Sequence, residues 1–200
     1  MQPTAVLPLK AFDVAKERLA PLLTPLQRSA LARATADRVA SACVAGGFAI
    51  TVVTGDETVS HWAASHSAQV VPDPGGGLNS VCAAGVAATT GPWMVVHGDL
   101  PLLDRETAEH ARICLGGGGS VIAPSRDGGT NLLGSTTPVR FAYGPGSFHR
   151  HLAAVPGATI LTGFSTLIEL DTPQDLKAAS MLDGGDWLIP YIPGPQSSLS

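Results

Sequence analysis

Two aspartates stand where apolar runs end. Asp99 follows Trp93-Met94-Val95-Val96-His97-Gly98 and precedes Leu100-Pro101, and Asp171 follows Ile168-Glu169-Leu170 and precedes Thr172-Pro173. In open parallel sheets the ligand crevice lies beyond the carboxyl ends of the strands, so carboxylates in such positions are the first to inspect. Two of them converging can hold magnesium, a cation that takes oxygen ligands and keeps water and substrate phosphates in its shell. The plainer expectation for each is a turn or helix-cap aspartate. For Asp171, Thr172 and Pro173 can cap and start a helix by themselves, which leaves Asp171 free. Lys10, Lys16 and Arg18 directly follow the first apolar run, with charge enough to neutralise a triphosphate; a solvated helix face is the alternative. Neither a Walker-A loop nor G-x-G-x-x-G occurs, which argues against a P-loop NTPase and a typical dinucleotide oxidoreductase.

Two glycine-bearing loops also follow apolar runs, and a third ends where a short helix should begin. Gly77, Leu78 and Asn79 close the first, Gly128-Gly129-Thr130-Asn131 the second, and Gly144-Pro145-Gly146-Ser147 the third. Each glycine can serve a turn alone. In the third loop, backbone N–H groups and the Ser147 hydroxyl could face an anion at the start of a short helix; a plain Ser N-cap is the alternative. His97, His149 and His151 are assigned no catalytic role. A phosphate nucleophile is already ionised at neutral pH, so metal and cations need only align it and stabilise charge at the attacked phosphorus.

The elements that must position these residues alternate short apolar or β-branched runs with longer helical patterns, the signature of a parallel sheet covered on both faces. Strands are predicted over 5–9, 49–54, 69–71, 93–96, 120–123, 131–133 and 159–162. Helices are predicted over 57–65, 78–88, 105–115, 147–154 and 173–182. The clearest helix begins at Thr24: Thr24 and Gln27 have capping-box spacing, Pro25 takes the first helical position, and Gly46 and Gly47 supply the stop. Leu26, Ala30, Ala34 and Ala42 are expected on its packed face. The fold class that follows is α/β, a Rossmann-like three-layer α/β/α sandwich with a mostly parallel central sheet, in one domain over 1–182. From Asp183 the composition turns to Gly, Pro and Ser without periodicity and reads as a C-terminal tail over 183–200, whose apolar residues either dock or stay disordered.

The bulk properties narrow the function. At 200 residues and 44% hydrophobic content the chain can bury a single core without disulfides. Cys43, Cys82 and Cys114 suit a reducing compartment and read as small core residues. A net charge of -4 argues against a nucleic-acid surface. No apolar stretch approaches the roughly 20 residues of a membrane span, and the N-terminus lacks secretory features. A cytoplasmic protein without membrane or nucleic-acid partners is expected, with a homodimer open.

Taken in order, Leu7-Pro8-Leu9-Lys10, Ala15-Lys16-Glu17-Arg18-Leu19, Gly77-Leu78-Asn79, Gly98-Asp99-Leu100-Pro101, Gly128-Gly129-Thr130-Asn131, Phe141-Ala142-Tyr143-Gly144-Pro145-Gly146-Ser147-Phe148 and Asp171-Thr172-Pro173 resemble the phosphoenolpyruvate/2-phospho-L-lactate guanylyltransferase family of deazaflavin coenzyme F(420) biosynthesis. The resemblance covers about residues 4 to 180. It implies a Rossmann-like nucleotidyltransferase fold and a reaction of GTP with a three-carbon phosphorylated acid, giving a guanylylated acid and pyrophosphate. By the same resemblance Asp99 and Asp171 hold magnesium, and Thr130, Gly144 and Ser147 contact the acid. Lys10, Lys16 and Arg18 form the basic catalytic motif, and Gly77, Leu78 and Asn79 lie near the nucleoside. The Ala- and Gly-rich composition fits a high-GC bacterial genome, where the family's usual acid is phosphoenolpyruvate. Pro8 in the first strand is a feature the family shares. A molybdopterin-type nucleotidyltransferase would open with a Gly-rich signature ending in Arg, which is absent; a sugar-nucleotide transferase and a non-catalytic nucleotide sensor are the remaining alternatives.

Overall fold

The apolar runs become seven strands of one sheet in a computed structural model that describes residues 1–192. They are β1 (Thr4–Pro8), β2 (Ala49–Thr54), β3 (Gln69–Pro72), β4 (Trp93–Val96), β5 (Val121–Pro124), β6 (Thr130–Ser135) and β7 (Thr159–Ile160), in the order β3-β2-β1-β4-β6-β5-β7. Pairings β3-β2, β2-β1, β1-β4 and β5-β7 are parallel, and β6 runs antiparallel to both β4 and β5. The reversal follows from chain length: residues 125–129 can only turn the chain back, whereas a parallel return needs a crossover of a dozen residues or more. In that turn Ser125 N–H donates to Gly129 O (3.0 Å).

Pro8 costs the sheet little. β1 pairs with β4 only through Thr4–Val6, so Pro8 lies beyond that ladder, and the next residue resumes bonding on the other side with Leu9 N–H to Val53 O (3.0 Å).

Among the described residues five helices connect the strands, α1 (Pro25–Ala45), α2 (Glu57–Ser65), α3 (Leu78–Ala87), α4 (Arg105–Gly116) and α5 (Ser147–Ala154), and two follow the last strand, α6 (Phe164–Leu167) and α7 (Pro173–Ser180). The expected capping box opens α1, with Thr24 and Gln27 bonded reciprocally. Its expected packed face needs correction. Leu26 and Ala30 are exposed, whereas Ala34 is partly buried and Ala42 buried as expected; the buried stripe also holds Leu31, Thr35, Ala36, Val39, Ala40 and Cys43. An Ala-rich helix offers several nearly equivalent stripes, and the larger Leu31 and Val39 decide which one faces the sheet.

Each sheet face carries its own core. Leu7, Val52, Met94 and Val96 point to the α1 side, and Val6, Val53, Val95 and Leu133 to the α3 and α5 side, as period-2 alternation requires. Cys43 and Cys82 are buried and Cys114 is partly so; all three are free.

A third cluster gathers Leu19, Leu23, Leu31, Leu170 and Leu176 around the fully buried Leu188. Leu188 belongs to a 3-10 turn over Asp186–Tyr191, so the apolar residues after Asp183 dock on the body; positions 193–200 of the expected tail lie outside the described residues. Trp187 adds a hydrogen bond to Pro101 O (3.3 Å) and stacks under the Arg38 guanidinium. Leu188→Ala should lower unfolding free energy by roughly 2–4 kcal/mol, the range for an emptied Leu site. Urea unfolding measures this, and a loss below about 0.5 kcal/mol would show that the turn is only loosely attached.

Candidate active site

The exit of β4 places His97, Gly98 and Asp99 at the carboxyl end of the parallel half of the sheet. A Cβ at Gly98 would meet the Leu9 side chain, which would have to move to admit a larger residue. Asp99 caps no helix: the cap of α4 is Asp104, whose carboxylate accepts from Thr107 N–H (2.7 Å). Asp171 is likewise free, since Thr172 and Asp175 form the capping box of α7 with Pro173 in its first turn. The plain cap reading therefore fails for both aspartates.

Lys16 joins them. Its ammonium lies 3.1 Å from Asp99 Oδ2 and 3.9 Å from Asp171 Oδ1, with only 7% of its side chain exposed. Its backbone is left-handed, φ 59°, outside a glycine's usual role. Non-glycine residues in that region are strained and persist where surroundings hold them, often at functional sites; here the pair of carboxylates does so. Arg18 reaches Asp171 at 4.0 Å from an exposed position.

Leu170 N–H donates to Asp99 O (3.1 Å), which draws the segment 168–171 against the β4 exit. Ile168 and Leu170 are buried, so alternation sends Glu169 and Asp171 toward the other side. Glu169 Oε1 is 3.7 Å from His97 Nδ1, and one donor atom from each of His97, Asp99 and Glu169 lies within 4.8 Å of the others. Among the described residues this is the one group of three or more such side chains close enough to share a metal ion. Burial opposes ionisation throughout the group, and the neighbours decide the outcome. For Asp99 the desolvation is outweighed by Lys16 and His97, and its carboxyl is held below the usual range. For Glu169 burial prevails over the contact with His97 and raises it. His97, although desolvated, is drawn upward by Glu169 and Asp99. Asp99 Oδ1 is buried without a hydrogen-bond partner among the described residues.

An open cleft of about 230 Å³ leads to this group. Lys10, Lys16, Leu78 and Asp99 line it, with Leu9 and Phe12 supplying an apolar wall. Gly77, Leu78 and Asn79 enter as the approach to α3. Gly75, Gly76 and Gly77 have φ of 77°, 80° and 85°, a run that only glycine makes without strain. Of the three residues expected near the nucleoside, Leu78 alone lines the cleft. Asn79 turns away, and its Oδ1 accepts from Tyr143 N–H (2.7 Å). Arg18 and Asp171 face a second, smaller hollow of about 130 Å³ with Arg126 and Glu169.

Thr130 and Ser147 meet across the hairpin and α5: their hydroxyl oxygens are 3.1 Å apart and both residues are buried. They adjoin the β4 exit, since His97 N–H donates to the carbonyl of Asn131, the next residue after Thr130 (3.0 Å). Ser147 is not an N-cap. Gly146, in the left-handed region, holds that position. The amides of Ser147 and Phe148 are spent on Gly144 O (3.0 Å) and Gly128 O (3.2 Å), so the hydroxyls, rather than these two amides, are what the loop offers. The Gly144 N–H has no partner among the described residues. Arg150 laces the loop shut, with Nη2 to Ala142 O (2.8 Å) and Nη1 to Pro145 O (2.7 Å).

A phosphate-scale cleft, a buried lysine between two carboxylates and a hydroxyl pair beside them make a constellation suited to nucleotidyl transfer, and the sequence comparisons decide the family. The model described as "Guanylyl transferase CofC like" matches residues 3–187. The chain belongs to this family. It is similar to the phosphoenolpyruvate guanylyltransferase of Roseiflexus sp. (strain RS-1), 37% identical over 158 residues that cover 75% of this chain and 70% of that protein. It is also 34% identical to the protein of the same name from Thermomonospora curvata, over 90% of this chain and 84% of the other. Among solved structures, a putative nucleotide-diphospho-sugar transferase from Desulfovibrio desulfuricans G20 superposes with a TM-score of 0.73 at 14% identity, covering 95% of each chain. A nucleotidyl transferase from Methanothermobacter thermautotroptrophicus gives 0.61 at 17% identity, over 94% of this chain and 98% of the other. These two establish the shared fold. As a guanylyl transferase of the CofC-like family, the protein is a nucleotidyltransferase enzyme.

Sequence reasoning passed over Glu169, His97, His151 and Arg150. The alternation Ile168-Glu169-Leu170-Asp171 was the available signal for Glu169, because it puts both acids on one side. No local signal marks Arg150.

Proposed function

We propose that this protein joins GMP from GTP to phosphoenolpyruvate, releasing pyrophosphate, in coenzyme F(420) biosynthesis. The observation that carries the reading is the Lys16 ammonium held between Asp99 and Asp171 in the cleft, with the Thr130–Ser147 hydroxyl pair adjoining. An ionised phosphate oxygen of the acid attacks the α-phosphorus of GTP. A new P–O–P bond forms, the bond from the α-phosphorus to the β-phosphate oxygen breaks, and pyrophosphate leaves with that electron pair. No general base is needed because the nucleophile carries no proton to remove.

Lys10 and Lys16 neutralise triphosphate charge and hold the α-phosphate against the acid, and Arg18 acts from the Asp171 side. Preorganised cations in a low-dielectric cleft stabilise charge gathering at phosphorus without reorganising. Leu78 and the apolar cleft wall take the nucleoside. Ser147, Thr130 and the Gly144 N–H take the carboxylate and phosphate of the acid.

The carboxylates fit a divalent cation. Asp99 Oδ1 is buried and unpartnered, and the donors are mainly carboxylate oxygens, the chemistry that magnesium prefers. Asp99, Glu169 and Asp171 would hold it. A manganese complex is described for the fold neighbour Rv0371c of Mycobacterium tuberculosis (TM-score 0.52, 18% identity), which is consistent with metal use in this fold. Magnesium would supply further neutralisation of the phosphates and of the leaving pyrophosphate.

The test is pyrophosphate release with magnesium and GTP against phosphoenolpyruvate, 2-phospho-L-lactate and 3-phosphoglycerate, with ATP and CTP as nucleotide controls and mass analysis of the product. Release with GTP and phosphoenolpyruvate is expected. Preference for another of the acids would change the substrate only; transfer to a sugar phosphate, or GTP binding with no turnover, would replace the reading.

A further inference from the structure

His151 sits on α5, fully buried, with both ring nitrogens engaged. Ala142 N–H donates to Nε2 at 2.8 Å, and Nδ1 is 3.0 Å from Thr130 Oγ1. Thr130 Oγ1 is in turn 3.1 Å from Ser147 Oγ. A backbone N–H cannot reverse its direction, so Nε2 must be the acceptor. The proton of a neutral ring is then on Nδ1 and is donated to Thr130. The Thr130–Ser147 contact, in which either hydroxyl can be the donor, uses one of the pair's two hydrogens, and the other is left without a partner among the described residues.

We propose that His151 is a positioning residue for the acid substrate: its Nδ1–H tautomer fills a lone pair of Thr130, so that the Thr130–Ser147 pair keeps one hydroxyl hydrogen to present to an anionic oxygen. This rests on the reading of Thr130 and Ser147 as the acid site. That hydrogen matters because carboxylate and phosphate oxygens only accept. Were Nδ1 bare, Thr130 would donate back to the ring and Ser147 to Thr130, and the pair would present lone pairs to an anion. That arrangement would also set Nε2–H against the Ala142 N–H at 2.8 Å.

The surroundings hold the ring neutral and in place. Burial first, then the charge of Arg150, pushes the His151 pKa down to about 4. An imidazolium could not accept from Ala142 at all. The Tyr143 ring packs edge-on at 4.7 Å and Phe141 at 6.4 Å, while Arg150 fixes the Ala142 carbonyl and with it the peptide bond ahead of the Tyr143 N–H.

Two measurements test the assignment. Long-range proton–nitrogen correlation spectra of histidine-labelled protein at pH 7 should show His151 protonated on Nδ1 and bare on Nε2; the opposite tautomer or an imidazolium would overturn the proposal without any variant. The second is a pair of substitutions read as separate KM values. His151→Gln can keep an acceptor near Ala142 but loses the donor to Thr130, and should raise KM for phosphoenolpyruvate by about tenfold or more while KM for GTP stays within about twofold. His151→Asn places an amide N–H where Nδ1 stood and should recover most of that loss. Equal effects on both substrates, or no difference between Gln and Asn, would reduce His151 to packing. Thr130→Val separates the levels: a raised acid KM with His151→Gln unaffected sinks the relay alone, and an unchanged acid KM removes the acid-site reading and the relay with it.

Discussion

Asp99→Asn is expected to lower turnover by at least about a hundredfold with the fold intact, the scale seen when a preorganised electrostatic contact is lost at a reacting centre. The substitution is isosteric; it removes the charge and turns one acceptor oxygen into a donor NH2. It strips Lys16 of its nearest counter-charge, at 3.1 Å, and takes the unpartnered Oδ1 carboxylate oxygen from the group it shares with Glu169. Asp171→Asn should also cost about a hundredfold. Asp171 is half exposed and lies farther from Lys16, so its loss should weigh more on KM for GTP and magnesium than on protein stability. Steady-state kinetics with a magnesium titration checks both. Retained turnover in either variant would remove that residue from the site, and a matching loss of circular dichroism would assign the effect to folding.

Lys16→Met has the second large effect, and it should show in two readouts at once. Removing one member of a fully buried ion pair costs about 3–5 kcal/mol because the other charge is stranded. Asp99 keeps 30% of its side-chain exposure, so the expected loss is nearer about 2 kcal/mol. Methionine's flexible stem also does nothing to relieve the left-handed backbone at position 16. Turnover should fall by on the order of a hundredfold through lost charge at phosphorus. The melting temperature of the variant should respond more steeply to magnesium than that of the parent, because a cation that binds only the folded state restores stability by mass action. A flat magnesium response in both proteins would disconnect Lys16 from the metal-binding carboxylates.

The fold was legible where local chemistry was self-sufficient. The Thr24–Gln27 box, the Thr172-Pro173 start and the glycine-bounded strands were readable because each rests on neighbours in sequence. The buried stripe of α1 was not, since an Ala-rich helix shows its face only against a partner, and Leu26 emerged exposed. The antiparallel β6 was hidden for a related reason: alternation does not encode direction, and only the short 125–129 turn carried it. At the candidate site, Asp99 stood out from its position at a strand exit, Asp171 from its place at the end of a short apolar run that forms no strand, and Lys10 and Lys16 from charge. Glu169, His97 and His151 depend on contacts between segments far apart in sequence, where a lone histidine or a glutamate between two apolar residues looks ordinary.

The hydrogen bond from Tyr143 N–H to Asn79 joins the glycine-run approach to α3 with the loop that leads to Ser147. Under the function proposed above, one segment serves the nucleotide side of the cleft and the other the acid side, and the bond makes their freedoms dependent on each other. A ligand that stills either loop has already met part of the ordering entropy that the other ligand would otherwise face. Linkage makes this help the same in both directions. For one partly exposed hydrogen bond of about 1 kcal/mol it amounts to roughly a fivefold mutual tightening. The tie thus favours occupancy of the cleft by both substrates over either alone.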